Sequence, residues 1–127
     1  MEIPDNLKYS SEHEWLAVNG KKGKVGITAF AAEQIGDIVF VDLPAVGTKV
    51  SAGKSFGVIE AVKSVSELYA PASGTVTASN DAVGKSPEIV AAEPYAGGWL
   101  IEIELSNPSE IDALKDAAGY RDMIAGL

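Results

Sequence analysis

The middle of the chain is a succession of short β-prone runs cut by glycine and proline: "AVGTKVSAGKS", "FGVIEA", "SVSELYAP" and "ASGTVTASN". Strands this short and this closely spaced predict a small sandwich or barrel rather than βαβ units, whose strands alternate with longer helical patterns. Before them, "EHEWLAV" (12–18), the turn signal "NGKKG" (19–23) and "KVGIT" (24–28) read as a first hairpin, and "DIVFVDLP" (37–44) as a strand stopped by Pro44. Near the end, "GWLIEIEL" (98–105) alternates, with Trp99, Ile101, Ile103 and Leu105 on one side and Leu100, Glu102 and Glu104 on the other. This alternation predicts a half-buried strand.

Helix signals are sparse. Thr28 can cap a short helix over "AFAAEQI" (29–35), and Gly36 suits the position just past its end. In "NPSEIDALKDAAG", Asn107 is placed as an N-cap, Pro108 as the first helical residue and Glu110 as the partner in a capping box. Ile111 and Leu114 then form an apolar stripe, Gly119 breaks the helix, and "YRDMIAGL" adds a last turn. No linker composition separates this tail from the strands, so the expectation is one domain over 1–127 with the tail packed on the sheet.

The chain's 127 residues carry a formal charge of -8, which argues against binding a phosphate backbone, where affinity comes from lysine and arginine. The imbalance lies in the second part. Residues 56–127 hold eleven acids and four bases, against seven and six in residues 1–55. Such a surface can steer basic partners, or simply keep the protein in solution. With no cysteine there is no disulfide, thiolate nucleophile or cysteine metal site. His13 is the only histidine, so no histidine cluster for a metal exists, and it reads as a structural or surface residue. Two near matches to a phosphate loop fail on spacing, at Gly47 to Gly53 and before Gly84-Lys85-Ser86, where Ser79 stands in the first glycine's place. Neither catalytic nor metal-binding residues are expected. The first ten residues lack a basic and apolar leader, and no apolar run approaches the roughly 20 residues of a membrane span. The reading is a protein that stays in the cytoplasm, or in the mitochondrial matrix if the chain is a processed eukaryotic one.

One turn stands out. In "GVIEAVKSVSELYAP" (57–71), residues 55–61 and 64–70 are strand-like, leaving Val62-Lys63 as a two-residue loop. The common hairpin turns need positive φ, which β-branched Val62 resists, so a turn with both residues at negative φ is expected. Turn propensity did not choose this pair. An ordinary solvated lysine is one reading of Lys63.

At this point the sequence resembles the H-protein family of the glycine cleavage system. The resemblance runs through "LKYSSEHEWL" (7–16), "VGITAFAAEQIGDIVFVDLPAVGTKV" (25–50), the hairpin, "PASGTV" (71–76) and "PYAGGWLIEIEL" (94–105). It implies a mainly β barrel-sandwich hybrid of the lipoyl/biotinyl type, with the short helix near 29–35 and a C-terminal helix. It implies a non-catalytic carrier in which Lys63 holds lipoate through an amide, and in which Gly57, Glu60 and Glu67 are read by the lipoate ligase or lipoyl transferase. Its partners would be glycine decarboxylase (P protein), aminomethyltransferase (T protein) and dihydrolipoyl dehydrogenase (L protein), between which a monomer shuttles the aminomethyl group of glycine and reducing equivalents. Glu14 matches the family's carboxylate at the cleft that receives the loaded arm, where it would favour an ammonium. Trp15 beside it reads as core.

The match has departures. Ala29 stands where many members have an acid, the turn reads Ala61-Val62-Lys63-Ser64, and Gln34 replaces a helix histidine of some members, which argues against a histidine contact to the arm. Rival readings are the lipoyl domain of a 2-oxoacid dehydrogenase, a biotin carrier, an H-like carrier that relays lipoate to other enzymes, and an acidic interaction module with unmodified Lys63. Val62 and Ser64, rather than methionines, flank the lysine, which speaks against biotin.

Overall fold

Alternation of apolar and polar residues is converted into two sheets whose inner faces meet. The computed structural model describes residues 1–127. The larger sheet has six strands in the order β1 (Lys8–Tyr9), β2 (Glu14–Asn19), β3 (Lys22–Ile27), β9 (Ile101–Leu105), β8 (Gly74–Ser79) and β5 (Lys49–Val50). The smaller has three, in the order β4 (Ile38–Asp42), β6 (Ser55–Ala61) and β7 (Val65–Tyr69). Every pairing is antiparallel. This is the expected mainly β sandwich. Its main core gathers Leu16, Val25, Ile27, Ile101 and Ile103 from the large sheet against Val41, Ile59 and Leu68 from the small one.

A second apolar layer covers the other face of the large sheet. There Ile3, Leu7, Tyr9, Trp15, Ala117 and Tyr120 cluster, so β2 is covered on both sides and Trp15 is core, as expected. The indole N–H of Trp15 donates to the Pro94 carbonyl at 2.9 Å, and Tyr9 stacks on Tyr120 with ring centroids 4.8 Å apart.

The short helix α1 runs Ala29–Ile35, as the sequence indicates: Thr28 Oγ1 accepts from the Ala31 N–H, and Gly36 follows with φ 85°. Two further short helices, α2 (Asp81–Lys85) and α3 (Ile89–Ala92), were not expected. The signal for α2 was present in Asn80, whose side chain caps the Ala82 N–H. The C-terminal helix differs from expectation in both position and capping. Pro108–Ala113 forms only a 3-10 turn, with no side-chain cap from Asn107. Glu110 turns instead to Ser73, accepting from its N–H at 2.8 Å and its hydroxyl at 2.9 Å. The α-helix, α4, runs Ala117–Ala125, capped by Asp116, which accepts from the Gly119 N–H. Gly119 is therefore inside the helix and not its breaker.

The alternation in 98–105 also starts later than the sequence suggests. Leu100 is fully buried with Ile101, while Trp99 is only partly buried. Asn80 fixes this bend: its side-chain amide donates to the carbonyls of Gly97 and Trp99 at 2.9 and 2.6 Å.

Candidate functional site

The hairpin of β6 and β7 closes on two residues. Glu60 pairs with Val65, and the Ala61 N–H donates to the Ser64 carbonyl at 2.8 Å, leaving Val62 and Lys63 as the loop. Both have negative φ, since His13 is the only non-glycine residue with positive φ. The Val62 N–H donates to the Asp37 carbonyl at 3.0 Å, pinning the tip to the segment that leaves α1. Lys63 is exposed and forms no ion pair. Its stem lies over Gly36, where a Cβ would sit 3.2 Å from Lys63 Cε.

Along the outer face of the small sheet, the register aligns Phe40, Glu60 and Val65 in one row and Asp42, Val58 and Glu67 in the next. Inward-facing Val41, Ile59 and Leu68 are buried. Glu60, Glu67 and Asp42 thus share a face with exposed Phe40 and Val65 near the lysine. Gly57 lies towards the base of the hairpin, paired with Leu68. A Cβ there would come within 2.4 Å of the Asp42 carbonyl oxygen, so glycine is what lets β4 and β6 approach.

Beside β7, the edge strand, opens a cleft of about 480 Å³. Its walls include His13, Glu14, Phe30, Gln34, Glu67 and Tyr69, with apolar surface from Ile27, Ile35 and Leu68. Glu14 starts β2 on the face it shares with Leu16, at the margin of the core, and is 2 % exposed. Ser10 Oγ–H donates to its Oε1 at 2.7 Å, and the N–H of Tyr69 donates to Oε2 at 3.2 Å. The edge strand's free amide is thereby satisfied. No cation pairs with this carboxylate. Burial raises its pKa to about 8, against the opposing hydrogen bonds from Ser10 and Tyr69.

The sequence-identified residues therefore divide between two places. Lys63, Glu60 and Glu67 surround the tip and outer face, with Gly57 below them, while Glu14 sits in the cleft; Glu67 reaches both. Ser10, Phe30 and Tyr69 were not singled out from the sequence, and His13 was read as structural or surface. Only the spacing of Ser10 four residues before Glu14 hinted at their meeting, and four residues is no recurring contact in a turn leading to a strand.

The profile of the family described as Glycine cleavage H-protein matches residues 7–126. The chain belongs to this H-protein family. A glycine cleavage system H protein from Symbiobacterium thermophilum is 53% identical over 118 residues, covering 93% of this chain and 92% of the relative. A probable glycine cleavage system H protein from Haloarcula marismortui is 48% identical over 97% of both chains. The crystal structure of a glycine cleavage system H protein from Mycobacterium marinum superposes with a TM-score of 0.89 at 40% identity, covering 98% of this chain and all of that one. The superposition thus takes in nearly all of the chain. No helix is long and apolar enough to cross a membrane.

Proposed function

We propose that this H-family chain is the lipoyl-bearing carrier of the glycine cleavage system, acting as one domain and a monomer in the cytoplasm, with lipoate held in amide linkage by Lys63. The observation that carries this reading is the pairing of an exposed, unpaired lysine at a pinned turn with a cleft on the next strand holding a buried carboxylate without a cation. The residues fit the group. An exposed amine at a tip is open to acylation, which removes its charge, and about 13 Å of β7 at 3.3 Å per residue separates Lys63 from Glu67 at the cleft.

When attached, lipoate supplies a disulfide that takes the aminomethyl group of glycine on one sulfur and a hydrogen on the other. The chain's own residues hold and shield. Glu14, which burial keeps protonated while unpaired, gives up its proton when an ammonium enters the cleft, and the resulting charge-assisted contact is stronger than the neutral hydrogen bonds it keeps otherwise. Phe30, Ile27 and Leu68 keep water from the arm. The chemistry belongs to the partner enzymes, the P, T and L proteins, and this chain is not itself a catalyst. Glu60 and Glu67, on the tip's outer face, are the groups offered to the lipoate ligase or lipoyl transferase; Gly57 serves that recognition by holding the hairpin's shape.

The test is intact mass and peptide mapping after incubation with lipoate, ATP and a lipoate ligase. One lipoyl increment on the Lys63 peptide is expected. Lys63→Arg, which keeps the cation on an exposed tip, is expected to fold normally and to support no glycine cleavage in a reconstituted mixture; retained activity in that variant overturns the carrier reading.

A further inference from the structure

His13 and Glu14 are neighbours in sequence, and in an extended strand neighbouring side chains point to opposite faces. Here both line the same cleft. The cause is local: His13 has φ 74°, the only left-handed non-glycine residue in the chain, and its backbone ends the alternation before β2 begins. A histidine holds such a conformation only where its surroundings enforce it, and strained residues of this kind gather at functional sites.

Backbone hydrogen bonds close the turn, from the His13 N–H to the Ser10 carbonyl and from the Ser10 N–H to the Glu14 carbonyl; the imidazole is held by Tyr120. Its ring is fully buried on α4, stacked on Tyr9 and edge-on to the imidazole at 5.8 Å. Its hydroxyl lies 2.8 Å from His13 Nδ1 and 2.7 Å from Thr28 Oγ1. The protons can be placed by elimination. Thr28 Oγ1 already accepts from the Ala31 N–H, is fully buried, and has Tyr120 as its only acceptor, so its own proton goes to the Tyr120 oxygen. The Tyr120 proton then goes to His13 Nδ1, and the neutral imidazole carries its hydrogen on Nε2. Nε2 has no protein partner, and no buried side-chain nitrogen in the chain lacks one, so Nε2–H is open to solvent on a residue that walls the cleft.

This rests on the carrier reading. We propose that His13 is a second polar contact for the arm, its Nε2–H donating to the sulfur that does not bear the aminomethyl group while Glu14 takes the ammonium, and that Tyr120 is the positioning residue that holds His13 to this task. The assignment matches donor and acceptor to the two ends of the loaded group. A protonated Nε2 also has no lone pair with which to strip a proton from the ammonium, whose freed amine would expel the sulfur. The imidazole stays neutral because burial lowers its pKa, with Glu12 opposing.

The chain's single histidine makes the test direct. Histidine labelled with 15N is observed by NMR in the lipoylated protein, first oxidised and then after loading with glycine and the decarboxylase. The expected spectrum has the hydrogen on Nε2 in both states and a shift of the Nε2 resonance on loading. Tyr120→Phe, which keeps the stack on Tyr9, is expected to take a lipoyl group still, to mix the two tautomers and to lose the aminomethyl group roughly fivefold faster, the effect of one hydrogen bond. A hydrogen found on Nδ1, or an Nε2 resonance unmoved by loading in a protein that does carry the loaded arm, overturns this inference alone. Failure of Lys63 to accept lipoate overturns the carrier reading and this inference with it. Should the Tyr120 variant not fold, the spectra of the unsubstituted protein decide.

Discussion

Glu14 combines near-complete burial with no counter-cation, and the consequence is a pH dependence with a definite sign. Its pKa is about 8 in the folded protein and near 4.3 in an unfolded chain, so between these values the folded state binds the proton and the unfolded state does not. Stability therefore falls as pH rises through this window, by up to roughly 1.4 kcal/mol per pH unit. Urea unfolding at pH 5, 6.5 and 8 is expected to show this slope in the parent and a flatter one in Glu14→Gln, which does not titrate and whose single carbonyl oxygen keeps an acceptor for one of the two donors, Ser10 or Tyr69. Parallel slopes would mean that Glu14 is ionised at neutral pH. In the loaded protein, Glu14→Ala is expected to leave lipoylation intact and to speed loss of the aminomethyl group; an unchanged decay removes Glu14 from the arm's cleft.

At the scale of elements, α1 is tethered at both ends, to the hairpin and to α4. The tip is tied to the second residue after α1 through Val62 and Asp37, and the start of α1 is tied to α4 through Thr28 and Tyr120. Thr28→Ala removes both the cap and the tether. Its expected cost is about 1–2 kcal/mol in chemical denaturation, with Thr28→Ser close to the parent. Gly57→Ala drives a Cβ into the Asp42 carbonyl, so β4 must move off β6. A loss of about 1–3 kcal/mol is expected, together with lower lipoylation only to the extent that the hairpin loosens. Full stability with failed lipoylation would instead give Gly57 a contact with the modifying enzyme.

For the molecule as a whole, charge and shape coincide. The acid-rich second part of the chain includes Glu60 and Glu67, and folding sets Asp42 from the first part beside them, on the face that carries the lysine. On the carrier reading proposed above, a partner that acylates or receives from Lys63 would meet this face first. Its association rate is expected to fall steeply as ionic strength rises, because steering between complementary surfaces is screened within about 10 Å at 0.1 M salt. Stopped-flow association with the ligase or the dehydrogenase at several salt concentrations measures it, and a flat response would leave the acids as solubilising charge.

By itself the sequence determined the features that depend on short-range patterns. Alternation of side chains fixed the strands and hence the sandwich; Thr28 and Gly36 marked both ends of α1; the two-residue loop of the hairpin placed Lys63 at a tip with negative φ; and ordered motifs named the family. Tertiary structure alone decided whatever required partners distant in the chain. Glu110 was read as a capping residue, but Ser73, 37 residues away, offers it two donors where Asn107 offers one. Gly119 was read as a breaker, but the cap at Asp116 starts the helix later and takes it in. His13 was read as structural or surface because a single histidine shows no pattern; the left-handed turn at 13 sets it in the cleft wall, and its ring is held there by Tyr120, 107 positions on. Local propensity is set by each residue and its near neighbours, whereas burial, protonation and the walls of a cleft are set by what folding brings alongside.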